Sequence, residues 1–180
     1  MKKLTILLFL FNILLFSNES AGQNSNNDQK YIFKTGDYNG IGKWYMGREI
    51  AYVMGFEGIG WLERSQREKE ENVSKLIQNM GIKPNDTIAD IGAGSGYHAF
   101  RMAPIANKGM VYAVDIQTEM LMAIENSKGT NNIKNIKTIL GGEKSVYLPK
   151  NSVDKILMVD VYHEFSFPIE MIKSIKSALK

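Results

Sequence analysis

Residues 87–101, Thr87-Ile88-Ala89-Asp90-Ile91-Gly92-Ala93-Gly94-Ser95-Gly96-Tyr97-His98-Ala99-Phe100-Arg101, decide the fold. Ile88, Ala89 and Ile91 read as a buried parallel strand, an apolar run with no polar face. Gly92, Gly94 and Gly96 then let the backbone turn sharply and approach a ligand without interference from a Cβ. A helix predicted to begin near Tyr97 presents its free N–H groups at the same place. Strand, glycine turn and helix in that order make a seat for a nucleotide. The spacing separates two nucleotide classes. A dinucleotide fingerprint G-x-G-x-x-G counted from Gly92 needs its third glycine at position 97, where Tyr97 stands. The pattern is D-x-G-x-G-x-G instead. A pyrophosphate pressed onto the helix start needs close helix–strand packing, which a Tyr opposes, whereas a ligand without phosphates needs only the open loop and a nearby acid.

That acid follows. After Gly109 comes Met110-Val111-Tyr112-Ala113-Val114-Asp115, an apolar strand that ends in a carboxylate. Asp115 lies about 20 residues beyond the loop, where an acid bonds ribose hydroxyls in such folds, so it is predicted to accept a vicinal diol bidentately. An amphipathic helix is expected from Glu119 to Asn126 with Met120, Leu121 and Ile124 inward, ended by Gly129 to Asn132. Ile136 to Leu140 gives a third strand, Lys155 to Val159 a fourth, and Pro168 to Leu179 a last helix. Upstream, Gln66 to Met80 reads as a helix with Val73, Leu76, Ile77 and Met80 on one face. Its Arg64, Arg67, Glu68, Glu70 and Glu71 read as a solvated charged face, or else bring Arg64 or Arg67 to a bound carboxylate.

The stretches D-I-G-A-G-S-G-Y, V-Y-A-V-D-I-Q-T-E-M-L and I-L-M-V-D-V-Y-H-E-F, in that order, resemble the class I S-adenosylmethionine-dependent methyltransferases from about Arg67 to Lys180. The earlier G-R-E-I-A-x-V-M-G and W-L-E-R-x-x-R-E-x-E-E resemble the leader of an exported bacterial group of that family. The resemblance implies an α/β fold, a doubly wound Rossmann-like parallel sheet, with S-adenosylmethionine as cofactor and methyl transfer to an unspecified acceptor. It places Gly92, Ala93, Gly94 and Gly96 around the cofactor. Asp90 holds the cofactor's amino group through a water or the loop backbone, or else only stabilises the turn. Ile116 faces the adenine ring, and Glu143 accepts from the adenine amino group. Family members continue into a fifth, sixth and seventh strand. The expectation for this chain, which stops at Lys180, is therefore a C-terminally incomplete domain with strand four at its edge.

Ligands in open α/β sheets bind beyond the carboxyl ends of the strands, so Asp160, Tyr162 and His163, with Glu164, are candidates for the reacting centre. His163 is the expected base, an imidazole titrating near ~6.5 when unperturbed, or else a structural hydrogen-bonding residue. His98, in the first helical turn, is expected to pack or cap.

An apolar fraction of 44% supplies a core for one domain. Without residues 1–22 the chain carries twenty Lys and Arg against eighteen Asp and Glu, a balance of +2 that gives no nucleic-acid footprint. The absence of cysteine excludes disulfides, thiolate metal sites and a cysteine nucleophile, and with two histidines no metal site is expected. Lys2 and Lys3 before the apolar run Leu4 to Phe16, with Ser20-Ala21-Gly22 behind it, read as a signal peptide over 1–22 that exports the protein. The alternative is an uncleaved N-terminal anchor, and only that brings a membrane into play. Residues 23–60 read as a polar spacer and a Gly- and aromatic-rich arm or lid, and 61–180 as the methyltransferase-like domain. The expected partner is a small-molecule or other methyl acceptor. Two further classes fit less well: a cofactor-binding protein without transferase activity, and a nicotinamide enzyme, which Tyr97 opposes.

Overall fold

The computed structural model describes residues 31–180, so the expected signal segment and the polar stretch at 23–30 lie outside the described residues. The Gly- and aromatic-rich arm forms a sheet of its own. Strands β1 (Tyr31–Phe33), β2 (Gly40–Tyr45) and β3 (Arg48–Ala51) pair antiparallel in the order β1-β2-β3. A segment across Tyr52–Gly58 follows, and then a short helix α1 (Ile59–Leu62). The helix expected over 66–80 is two helices, α2 (Arg67–Glu71) and α3 (Val73–Asn79). Asn72 breaks them at φ 51°, a left-handed conformation that Asn tolerates. Its N–H donates to Glu68 O at 2.9 Å, and the Glu68 carboxylate accepts from Ser74 N–H at 3.1 Å, so the break leaves few backbone groups unpaired.

From there strands and helices alternate: β4 (Thr87–Ile91), α4 (Tyr97–Met102), β5 (Met110–Asp115), α5 (Thr118–Asn131), β6 (Ile136–Leu140), β7 (Lys155–Met158) and α6 (Pro168–Ala178). The last four strands form one parallel sheet in the order β6-β5-β4-β7. Helix α5 runs on past Asn126 and through Gly129, and stops where Asn132, the last residue of the stretch expected to end it, turns left-handed at φ 52°.

The period of two along each strand divides the core between two faces. Ile88, Val111, Ala113 and Leu157 face α3, α4 and α5, meeting Ile77, Met102 and Ile124. Ala89, Ile91 and Val114 face the other way, onto Phe165 and the Met171, Ile175 and Ala178 stripe of α6. Helices thus cover both faces, as a parallel sheet requires. The result is the doubly wound Rossmann-like arrangement, and it puts the carboxyl ends of β4, β5 and β7 side by side. Among the described residues no helix is long and apolar enough to cross a membrane.

Candidate functional site

A cleft enclosing about 130 Å³ opens at those carboxyl ends. Its floor is the turn after β4. Gly92 N–H and Ala93 N–H both donate to Val114 O, at 2.8 and 3.0 Å, which ties the turn to the neighbouring strand. Gly92 and Gly94 take φ of 71° and 53°, and a Cβ on Gly94 would lie 2.8 Å from Leu62 Cδ1. Both positions therefore need glycine for conformation and for space.

Asp115 closes β5 and stands over this floor. Its Oδ2 accepts from Gly94 N–H at 2.8 Å and its Oδ1 from Gln117 N–H at 2.9 Å. One acceptor position on each oxygen is therefore taken by the chain, and each oxygen keeps a second lone pair. Burial raises the pKa of this carboxyl group, against the pull of the two N–H donors. Ile116, Gly141, Gly142 and Glu143 continue the wall beyond it.

At the opposite wall, two residues beyond the end of β7, Asp160 adopts φ 50°, a left-handed conformation that Asp tolerates better than most residues. The one-turn helix Tyr162–Glu164 that follows decides which side chains reach the cleft. Glu164 does, with its pKa raised by burial, while Tyr162 and His163 do not line it. Two of the expected reacting residues thus stand beside the lining and not in it. The tight turn sends the His163 side chain outward, 46% exposed, with Nε2 3.8 Å from Glu164. Tyr162 turns to Phe165 and lies under the Arg48 guanidinium of β3.

A strap from the arm spans the two walls. Met54 O accepts from Gln117 Nε2 at 2.9 Å, and Met54 N–H donates to Glu164 Oε1 at 3.1 Å. Val53, Met54, Trp61 and Leu62 thereby add an apolar side to the cleft. Farther along, Glu63 accepts from Ser95 Oγ at 2.5 Å and fastens the end of α1 to the glycine turn.

Arg67, read from the sequence as either a solvated charge or a contact to a bound carboxylate, and His98, read as packing or capping, both line the cleft. Arg67 is 4% exposed; its Nε pairs with Glu71 at 2.9 Å, its Nη1 donates to Leu62 O at 2.9 Å, and its guanidinium lies over Tyr97. Tyr97, the residue that broke the dinucleotide fingerprint, is buried between Arg67 and Arg101. Arg64 stays outside, stacked on Trp61 and paired with Glu70 and Glu71. His98 lines the cleft with an Nε2 that has no hydrogen-bond partner, and burial, reinforced by Arg67, holds its pKa down at about 4. It is a neutral imidazole. Asp90 and Gly96 lie behind the floor rather than in the lining. Gly96 caps α4 at φ 83°. Asp90 faces the first turn of α4; burial pushes its pKa up to about 7, and its Oδ2 is unpartnered.

A family model described as a methyltransferase domain matches residues 82–180, the stretch that holds the sheet and most of the cleft. The chain belongs to that family. Among solved structures it is similar to an S-adenosylmethionine-dependent methyltransferase from Aquifex aeolicus, with a TM-score of 0.67 and 28% identity over 71% of this chain and 69% of that one. Among curated proteins it is 28% identical over 88 residues to a probable cobalt-precorrin-6B C(15)-methyltransferase (decarboxylating) of Methanosarcina mazei, covering 49% of this chain and 48% of the relative. A protein-L-isoaspartate O-methyltransferase of Pyrococcus horikoshii is 28% identical over 97 residues, 54% of this chain and 44% of the relative. The chain spans about half the length of these curated relatives.

Proposed function

We propose that this chain transfers a methyl group from S-adenosylmethionine to an acceptor at the Asp160–Glu164 end of the cleft. The observation that carries this reading is Asp115, a buried carboxylate fixed by two backbone N–H groups over a glycine floor, with a spare lone pair on each oxygen. A vicinal diol is the ligand group that matches two such lone pairs. The rest of the donor set fits the cofactor as well. Ile116 offers a flat apolar contact and Glu143 an acceptor where an adenine would lie. Arg67 and the unpartnered His98 offer a cation and a neutral acceptor to a carboxylate and an ammonium.

When bound, S-adenosylmethionine supplies an electrophilic methyl on a sulfonium whose bonding pair leaves with sulfur. The chain's own work is alignment and proton handling. Asp115 and the glycine turn hold one end, the strap excludes water above, and Glu164 is the carboxylate placed to take a proton from the acceptor.

Equilibrium dialysis of the full chain against labelled S-adenosylmethionine, with S-adenosylhomocysteine and a nicotinamide dinucleotide as competitors, tests the assignment. Displacement by S-adenosylhomocysteine alone is expected. Displacement by the dinucleotide, or no binding, overturns it. The sequence of residues 1–22 supports a further part of the reading, that the protein is exported; N-terminal sequencing of the mature protein checks it, with Gln23 the expected first residue.

A further inference from the structure

Four carboxylates, Asp115, Glu143, Asp160 and Glu164, line the cleft against one guanidinium, Arg67, which is already paired with Glu71. Two of the four, Asp115 and Glu143, stand where the ribose and adenine are assigned. Both of those ligand groups are uncharged, and the cofactor's sulfonium brings one positive charge against four carboxylates, so the cleft stays acidic with the cofactor bound. Asp160 and Glu164 remain at the other wall beneath the strap. Among the described residues no Lys lines the cleft, and His98, the one imidazole there, is neutral with a buried Nε2 that has no partner in the chain. Around the acidic pair the walls are apolar, from Val53, Met54 and Trp61 on the strap to Phe165 and Met171 below.

We propose that the methyl acceptor is an amine carried on an apolar body, entering as its ammonium and held between Asp160 and Glu164. This rests on the cofactor reading above and names its substrate class. An anionic acceptor entering this wall meets two like charges in a partly desolvated site, whereas an ammonium neutralises them. Glu164 is the proton acceptor. Its Oε1 is engaged by Met54 N–H and its Oε2 is free to receive the ammonium proton; the N–H bond breaks, its electron pair stays on nitrogen, and an O–H bond forms on Glu164. The freed lone pair is the nucleophile. Burial, with Asp115 and Asp160 nearby, raises the Glu164 pKa and so makes its carboxylate a stronger base for that step.

The test compares two probes of one shape and opposite charge, phenethylamine and 3-phenylpropionate, titrated calorimetrically into the full chain saturated with S-adenosylhomocysteine. The amine is expected to bind at least tenfold more tightly. Glu164→Gln and Asp160→Asn, the latter a residue that also tolerates positive φ, are each expected to erase most of that preference while S-adenosylhomocysteine affinity stays within about twofold. Equal binding of the two probes, tighter binding of the carboxylate, binding of neither, or a preference unchanged in both variants overturns the amine assignment alone. Failure of S-adenosylhomocysteine to bind in the first step takes down the cofactor reading and this inference with it.

Discussion

Asp115 uses one carboxylate for two purposes, and its variants separate them. Asp115→Asn keeps an acceptor for one backbone N–H and is expected to weaken S-adenosylmethionine binding by about 1.5–3 kcal/mol, the range for losing charge-assisted hydrogen bonds. Asp115→Ala also orphans the Gly94 and Gln117 N–H groups, so it should lower the unfolding temperature further than Asn does. Calorimetry and thermal unfolding of the pair check both statements. Asp90 and His98 make a second test. Asp90 titrates at about 7 in the fold against ~3.9 unfolded. Across that window the folded chain keeps a proton the unfolded chain has lost, so Asp90 makes stability fall as pH rises. His98 titrates at about 4 against ~6.5 unfolded. There the unfolded chain holds the extra proton, and His98 makes stability fall as pH drops. Each effect is on the order of 3 kcal/mol, and they oppose each other. In denaturant unfolding from about pH 4 to 7.5, relative to the parent, Asp90→Asn should therefore gain stability as pH rises and His98→Phe should lose it. Asp115 was legible in the sequence because its place is set by strand length and loop spacing. Glu164 against His163 was not, because a single helical turn between adjacent residues decides which one faces inward.

At the scale of elements, the strap is the part that binding must move. Gln117→Ala removes the donor to Met54 O but leaves the Gln117 backbone N–H on Asp115. Hydrogen exchange of residues 52–58 is expected to quicken severalfold in that variant, with the exchange of β4 and β5 unchanged. Unchanged exchange in the strap would mean that Glu164 alone holds it. The parallel strands were readable because each is an apolar run bounded by turn residues, and the glycine turn was readable because its backbone demands glycine. The break at Asn72 was hidden inside a continuous helical pattern of Val73, Leu76 and Ile77. The arm's strands were hidden for another reason. Gly40-Ile41-Gly42-Lys43-Trp44-Tyr45 lacks the alternation that marks a half-buried strand, and Gly42 carries a φ of 69° in the midst of it.

For the whole molecule, the consequential contact joins the arm sheet to the segment entering α6. Lys43, 6% exposed, puts its ammonium 3.4 Å from the Phe167 ring centroid and 4.3 Å from that of Tyr31, whose hydroxyl donates to Glu170 at 2.7 Å. Burial lowers the Lys43 pKa, and the rings replace part of the lost water. Phe167→Ala is expected to cost about 2 kcal/mol and to speed limited proteolysis at the exposed Met46–Gly47 turn, which Leu76→Ala, packed against the core on the other face of the sheet, would not do. Strand and helix alternation made the doubly wound class legible, yet a lone Lys between Gly42 and Trp44 reads as solvated, so this docking was not. The strap that grows out of the docked sheet has one residue, Met54, bonded to both walls of the cleft. A gate hinged in that way serves two passengers. Whatever lifts Met54 to admit or discharge the nucleoside would also uncover the acceptor, so the two exchanges are expected to share one kinetic event, the release of that residue.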